Sequence, residues 1–168
     1  MAERGVYFGN GLQQVDDKGR VAMPASLRGT LEVNCPAEPG SKGARQFLIS
    51  AHERAPCLLA YDQVRGEQRI RQAQQLAAQL PEERAVDADN KIRAMAGGGD
   101  YVQYDSSGRF ILGGFPRFHA NIGKYALFYG AGEEIEIWDP ATLLSYEHAL
   151  PMMVKLCRYL LDQKKIEL

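Results

Sequence analysis

Cysteine is scarce in this chain: Cys35, Cys57 and Cys157 are scattered among 168 residues, with no Cys-x-x-Cys. Such spacing argues against a disulfide framework and against a zinc site. Histidine is as thin, and His52, His119 and His148 stand apart without ligand-like spacing, so no metal is expected. Long apolar runs are missing too, and none approaches the ~18 residues of a membrane span. The start, Met1-Ala2-Glu3-Arg4-Gly5, has no signal-peptide apolar core. Neither sign of charge dominates, with 20 Lys+Arg against 21 Asp+Glu and a net charge of -1. A polyanionic partner would need the cations gathered on one face or multiplied by oligomerisation. There is no nucleophile elbow and no Cys–His signature, and Gly97-Gly98-Gly99 follows a helical segment, which fails the strand-to-helix context of a phosphate loop. These absences point away from an enzyme, a cofactor and a small-molecule substrate. They are consistent with a cytoplasmic globular protein, whose 45% hydrophobic content suffices for a core.

What the chain does have is one phrase spoken twice. Val15-Asp16-Asp17-Lys18-Gly19-Arg20-Val21 returns as Tyr104-Asp105-Ser106-Ser107-Gly108-Arg109-Phe110, both reading apolar-Asp-x-x-Gly-Arg-apolar. An internal repeat of this kind can perform one task twice about an approximate two-fold axis. The similarity continues downstream. Phe47-Leu48-Ile49 and Cys57-Leu58-Leu59-Ala60-Tyr61-Asp62 match Tyr125-Ala126-Leu127-Phe128-Tyr129 and Ile135-Glu136-Ile137-Trp138-Asp139. The first half carries extra residues at 35–43, a turn-former cluster that reads as a surface insertion.

The first motif has the grammar of a tight hairpin. Asp16 suits the first position of a type I turn, and Gly19 can adopt the left-handed conformation that follows. On the return strand, Val21 and Met23 are expected to face inward and Arg20 and Ala22 outward. Pro24 opens a short helix at Ala25-Ser26-Leu27-Arg28. The second motif repeats the hairpin, but Gly113-Gly114-Phe115-Pro116 is a poorer helix start. Gln63 to Leu80 is expected to be helical, capped by Asp62, with Ile70, Ala73, Leu76, Ala77 and Leu80 as its apolar stripe. Glu82 to Ala96 forms a second helix that the glycine run stops. Asp139-Pro140 starts a third, and Pro151 bends or restarts it. Met152, Met153, Leu156, Tyr159 and Leu160 form a final stripe, expected to pack on the core rather than on a partner.

Three readings of the repeated phrase remain open on the residues alone. Asp can accept turn N–H bonds and pair with Arg, a purely structural role. Lys18 and Arg20 on a rigid tip can meet phosphates or a guanine edge. Two symmetry-related carboxylates could also form a hydrolytic dyad. Against the dyad, the spacing differs from the Asp-Ser/Thr-Gly turn, and each neighbouring Arg lowers the Asp pKa.

The run from Asp16 to Arg28, the second copy from Asp105 to Leu112, and Ile135-Glu136-Ile137-Trp138-Asp139 together resemble the MraZ family of bacterial regulators of the division and cell-wall gene cluster. The likeness covers roughly residues 5 to 145. It implies an α+β, AbrB-like fold in which two tandem repeats (5–62 and 100–145) interlock into a swapped-hairpin β-barrel. Residues 63–99 would be a helical connection and 146–168 a C-terminal helix. It further implies a homo-oligomeric ring, association with the nucleoid, and binding to short repeated boxes in double-stranded DNA upstream of its own operon. DNA contact carries over from it to Arg20 and Arg109, oriented by Asp16 and Asp105; Lys18 and Arg28 are expected to assist as DNA-binding residues, and Gly19 and Gly108 to shape the turns. Because Gly113-Gly114 replaces a Pro-led start, the second turn is expected to be held less firmly than the first. A scaffold or antitoxin-type partner binder is the alternative role for such a fold.

Overall fold

The computed structural model describes residues 3–168; Met1 and Ala2, the first two residues of the start read above, lie outside them. In chain order the elements are β1 (Asn10–Gln14), β2 (Arg20–Ala22), α1 (Ala25–Asn34), β3 (Gln46–Ala51), β4 (Leu58–Tyr61), α2 (Gln63–Ala78), α3 (Ala85–Gly97), β5 (Asp100–Gln103), β6 (Arg109–Ile111), α4 (Gly114–His119), β7 (Tyr125–Gly130), β8 (Ile135–Trp138), α5 (Pro140–Ser145) and α6 (Pro151–Gln163). The α+β class expected from the sequence is the one found.

Six strands make one antiparallel sheet in the order β1-β7-β8-β4-β3-β5, and β2 and β6 form a separate two-stranded ribbon. That order is symmetric about the β8–β4 junction. β1, which precedes the first motif, pairs with β7, which follows the second; β5, which precedes the second motif, pairs with β3. The expected closed barrel is not formed, because β1 and β5 are opposite edges of the sheet. Its hairpins are likewise turns without a continuing ladder. The Asp16 N–H donates to the Arg20 carbonyl (3.1 Å), after which β2 leaves β1 and pairs with β6, Val21 opposite Phe110. Burial explains the departure. Val21, Phe110 and Met23 sink into a cluster with Phe47 and Phe128, where the Phe110 ring stands edge-on to both phenylalanines. Each such side chain contributes about 1.5–3 kcal/mol when fully buried.

The inward and outward alternation expected of β2 is observed, with Val21 and Met23 buried and Arg20 exposed. α1 begins after Pro24 as expected but runs on to Asn34, because Leu27 and Leu31 also reach the core. α4 forms despite its poor start, as six residues only. Asp62 caps α2 by accepting the Arg65 N–H at 2.9 Å. The stripe expected on that helix is corrected: Arg65, Gly66, Arg69 and Ala73 are the buried face, and Leu76 is exposed. Gly66 sits so close to Leu48 and Tyr61 that a Cβ there would collide, so this face is the one that packs on the sheet. In α6 the buried stripe is Met153, Cys157 and Leu161, while Met152 and Tyr159 are exposed. Those three residues join Leu12, Leu127, Trp138 and Leu143 in a second apolar cluster on the other side of the sheet. The 35–43 insertion is mostly exposed, and its polypeptide is folded back by turns at Glu38–Ser41 and Ser41–Ala44.

Candidate functional site

The two turns are built alike. Gly19 and Gly108 both have φ of 81°, and each donates its N–H to the motif aspartate's carbonyl at 2.9 Å. Asp16 Oδ1 accepts the N–H groups of Lys18 (3.0 Å) and Arg20 (2.8 Å), and Asp105 Oδ1 accepts those of Ser107 (2.9 Å) and Arg109 (2.9 Å). The other carboxylate oxygen takes the arginine Nε, at 2.5 Å for Arg20 and 2.9 Å for Arg109. The backbone bonds of the two turns match closely, and the Arg109 Nε bond is the longer of the two side-chain bonds.

Engaging the arginine through Nε fixes the direction of the guanidinium and leaves its two terminal nitrogens for another molecule. The side chains stand out in solvent, 61% exposed for Arg20 and 69% for Arg109. Both aspartates are held below the ordinary carboxylate range, first by the arginine backbone N–H and then by its side chain. An anionic, acceptor-only carboxylate suits an orienting group and opposes the shared-proton role of a hydrolytic dyad.

The ribbon register sets the spacing of the two arginines. Arg20 lies opposite Ile111 and Ala22 opposite Arg109, so the arginines share the exposed face as a diagonal pair. Diagonal neighbours across antiparallel strands lie roughly 7–8 Å apart. This face floors an open groove of about 940 Å³ that gathers Asp16, Arg20, Asp105 and Arg109 with Gln14 and Gln103. Lys18 and Arg28 stand outside that lining.

Each glycine is required twice over, by its positive φ and by close approach. A Cβ on Gly19 would strike the Leu112 carbonyl oxygen, and one on Gly108 would press on Met23 O and the Arg28 side chain. The contacts are reciprocal between halves. Met23 donates its N–H to Gly108 O (2.8 Å), and Leu112 donates to Gly19 O (2.8 Å). Arg28 thus lies against the second turn rather than its own, with a loose 3.9 Å pairing to Glu32.

The transcriptional regulator MraZ of Yersinia pestis (strain Pestoides F) is 29% identical over 137 residues, covering 82% of this chain and 82% of that protein. The transcriptional regulator MraZ of Yersinia pseudotuberculosis serotype O:1b (strain IP 31758) matches to the same extent, 29% over 137 residues. The chain is thus similar to MraZ transcriptional regulators over most of its length. No family model matches it.

A second set of charged residues in this chain escaped sequence reasoning. Beneath α2, Asp62 accepts both terminal nitrogens of Arg4 (2.8 and 2.6 Å) and the Tyr7 hydroxyl (2.7 Å). Glu134 takes Arg65 (2.8 Å) and Arg69 (2.7 Å), and Arg69 also pairs with Glu53 while lying 5.2 Å over the Tyr61 ring. Burial alone would raise both carboxyls, but the arginine hydrogen bonds outweigh it and hold Asp62 and Glu134 below their ordinary values. Arg117 was also missed. It packs its guanidinium against Gly19 as Arg28 packs against Gly108. The signal for it was in the repeat, since both arginines stand nine residues after a motif glycine. Among the described residues no group of three or more His, Cys, Asp or Glu converges as a metal would require, and no helix is long and apolar enough to cross a membrane.

Proposed function

We propose that this chain is a sequence-specific DNA-binding transcriptional regulator, reading double-stranded DNA through Arg20 and Arg109 on the β2–β6 ribbon. The observation that carries the reading is the pair of carboxylate-aimed guanidiniums on one exposed face, each with both terminal nitrogens free of partners among the described residues. A two-stranded antiparallel ribbon fits the major groove of B-DNA, and an arginine fork is the side chain suited to guanine O6 and N7. Asp16 and Asp105 orient the arginines, while Gly19 and Gly108 shape the turns. Lys18, exposed at the first tip, and Arg28 supply phosphate contacts. The relatives' name, transcriptional regulator, supports the same reading.

A net charge of -1 gives one copy little general attraction to DNA. We therefore place the chain in a homo-oligomeric ring, where identical ribbons engage successive short boxes about one helical turn of ~10 bp apart. We place those boxes upstream of its own operon, in the division and cell-wall gene cluster, at the nucleoid, as the resemblance to MraZ regulators implies. The strand exchange between halves supports reading residues 5–62 and 100–145 as interlocked AbrB-like repeats, with 63–99 as connection and 146–168 as C-terminal helix.

A gel shift with DNA from upstream of the chain's own gene tests this, run beside a sizing measurement. Arg20→Ala is expected to keep fold and oligomer and to lose the shifted band. Unchanged binding would remove Arg20 from the interface. A wild type that shifts no such DNA at low ionic strength would leave an assembly or partner-binding role instead.

A further inference from the structure

Arg117 belongs to neither motif, yet it occupies a corner of the interface that symmetry and chemistry both mark. Its guanidinium lies against the backbone of the first turn: a Cβ on Gly19 would sit 3.5 Å from both Arg117 Cζ and Nε. Its buried Nε has no hydrogen-bond partner among the described residues. Among the described residues no carboxylate pairs with it. Arg69, whose buried Nε is likewise without a partner, is met by two glutamates at its terminal nitrogens, and Arg65 is met by two as well, so Arg117 differs in lacking the counter-charge. A half-buried cation left without a counter-charge favours an incoming anion, and a planar guanidinium suits a phosphate.

We infer that Arg117 is a phosphate-contacting residue of the DNA interface, acting beside the first turn although it comes from the second half; the inference rests on the DNA-binding reading above. Arg28 is its counterpart beside the second turn. Each reading head is then composite. The turn of one half carries the base-reading arginine, and the helix of the other half carries the phosphate-gripping one. Arg20 works with Arg117, and Arg109 works with Arg28. Arg117, like Arg28, is fixed against a turn's backbone rather than aimed by an aspartate, so it supplies grip without sequence discrimination. Four cations from two halves thereby surround the ribbon, although the chain as a whole carries no positive excess.

The test is a fluorescence-anisotropy titration over a series of salt concentrations, using the upstream duplex and a scrambled duplex of equal length. Arg117→Gln is expected to weaken both duplexes by the same factor and to reduce the slope of log K against log[salt] by about 0.9 for each subunit engaged. Arg117→Lys, which keeps the charge, is expected to restore the slope. Arg20→Ala is expected instead to weaken the upstream duplex selectively. Should Arg117→Gln fail to fold, Arg117→Met takes its place, since it keeps an apolar stem against the turn. An unchanged slope in the neutral variant overturns the inference, as does a loss confined to the upstream duplex. If the wild type binds neither duplex, the DNA-binding reading falls and takes this inference with it.

Discussion

Asp–Arg pairing occurs in two places in this molecule, in solvent at the turns and under α2. At the turns the aspartate side chains are 38% and 43% exposed; under α2 the Asp62 carboxylate is 2% exposed. The same chemistry serves different ends because water screens one set and not the other. Water screens an exposed pair so well that it contributes too little to explain two identical copies by stability. What the exposed pairs supply is aim, because Nε is tied to the turn and the remaining nitrogens point away from it. The buried set ties the N-terminal segment at Arg4 and Tyr7 to the start of α2, and α2 to Glu134 in the second half.

The sharpest way to break this contrast is to remove the buried anion. Asp62→Ala is expected to lower unfolding free energy in urea by about 3–5 kcal/mol, since Arg4, Tyr7 and the first turn of α2 all lose their acceptor. A loss comparable to that of Asp16→Ala would erase the distinction. Next in size, Gly19→Ala is expected to cost about 1–3 kcal/mol in thermal melting through strain at positive φ and collision with Leu112. Gly40→Ala, with φ of 83° and open space around it, should cost less, and an equal cost would show that close approach adds nothing at Gly19.

Acid should separate the two sets more gently. Asp62 and Glu134 have folded-state pKa values below their unfolded ones, so their contribution is complete above the ordinary carboxylate range near pH 4 and is lost as pH falls through the depressed values. Asp62→Asn is expected to flatten the acid limb of a stability–pH curve more than Asp16→Asn does, and the reverse order would place the greater linkage at the turns. The smallest expected effect on stability is that of Arg20→Ala, whose urea midpoint is expected to stay close to that of the wild type because the pair it removes is screened by water. A larger destabilisation would mean the exposed pair holds the fold after all.

The turns were legible in the sequence because everything that defines them lies within five residues: the aspartate, the glycine and the arginine are each other's partners. The fate of β2 was not, since its exchange of β1 for β6 depends on Phe47 and Phe128, remote in the chain, accepting Val21 and Phe110. The burial of Arg65 and Arg69 was hidden for the same reason. Ile70 and Leu76 made a plausible apolar stripe, and it is Glu53, Glu133 and Glu134, all outside the helix, that turn the arginine face inward. In α6 Met153 is buried as expected, but Met152 and Tyr159 face solvent, and the smaller Cys157 with Leu161 completes the stripe. The cross-packing of Arg28 and Arg117 was present as equal spacing, but spacing does not say which turn an arginine will touch.

The symmetric strand order, with each half lending its first strand to the other, makes this single polypeptide behave as a dimer whose subunits have been joined end to end. Neither half has a complete neighbourhood without its twin: β2 would have no ribbon partner and β3 would lose its outer strand. A duplicated gene can then let its copies diverge in ways that two separate subunits cannot, placing lysine at one tip (Lys18) and serine at the other (Ser107) while both remain at a fixed one-to-one ratio.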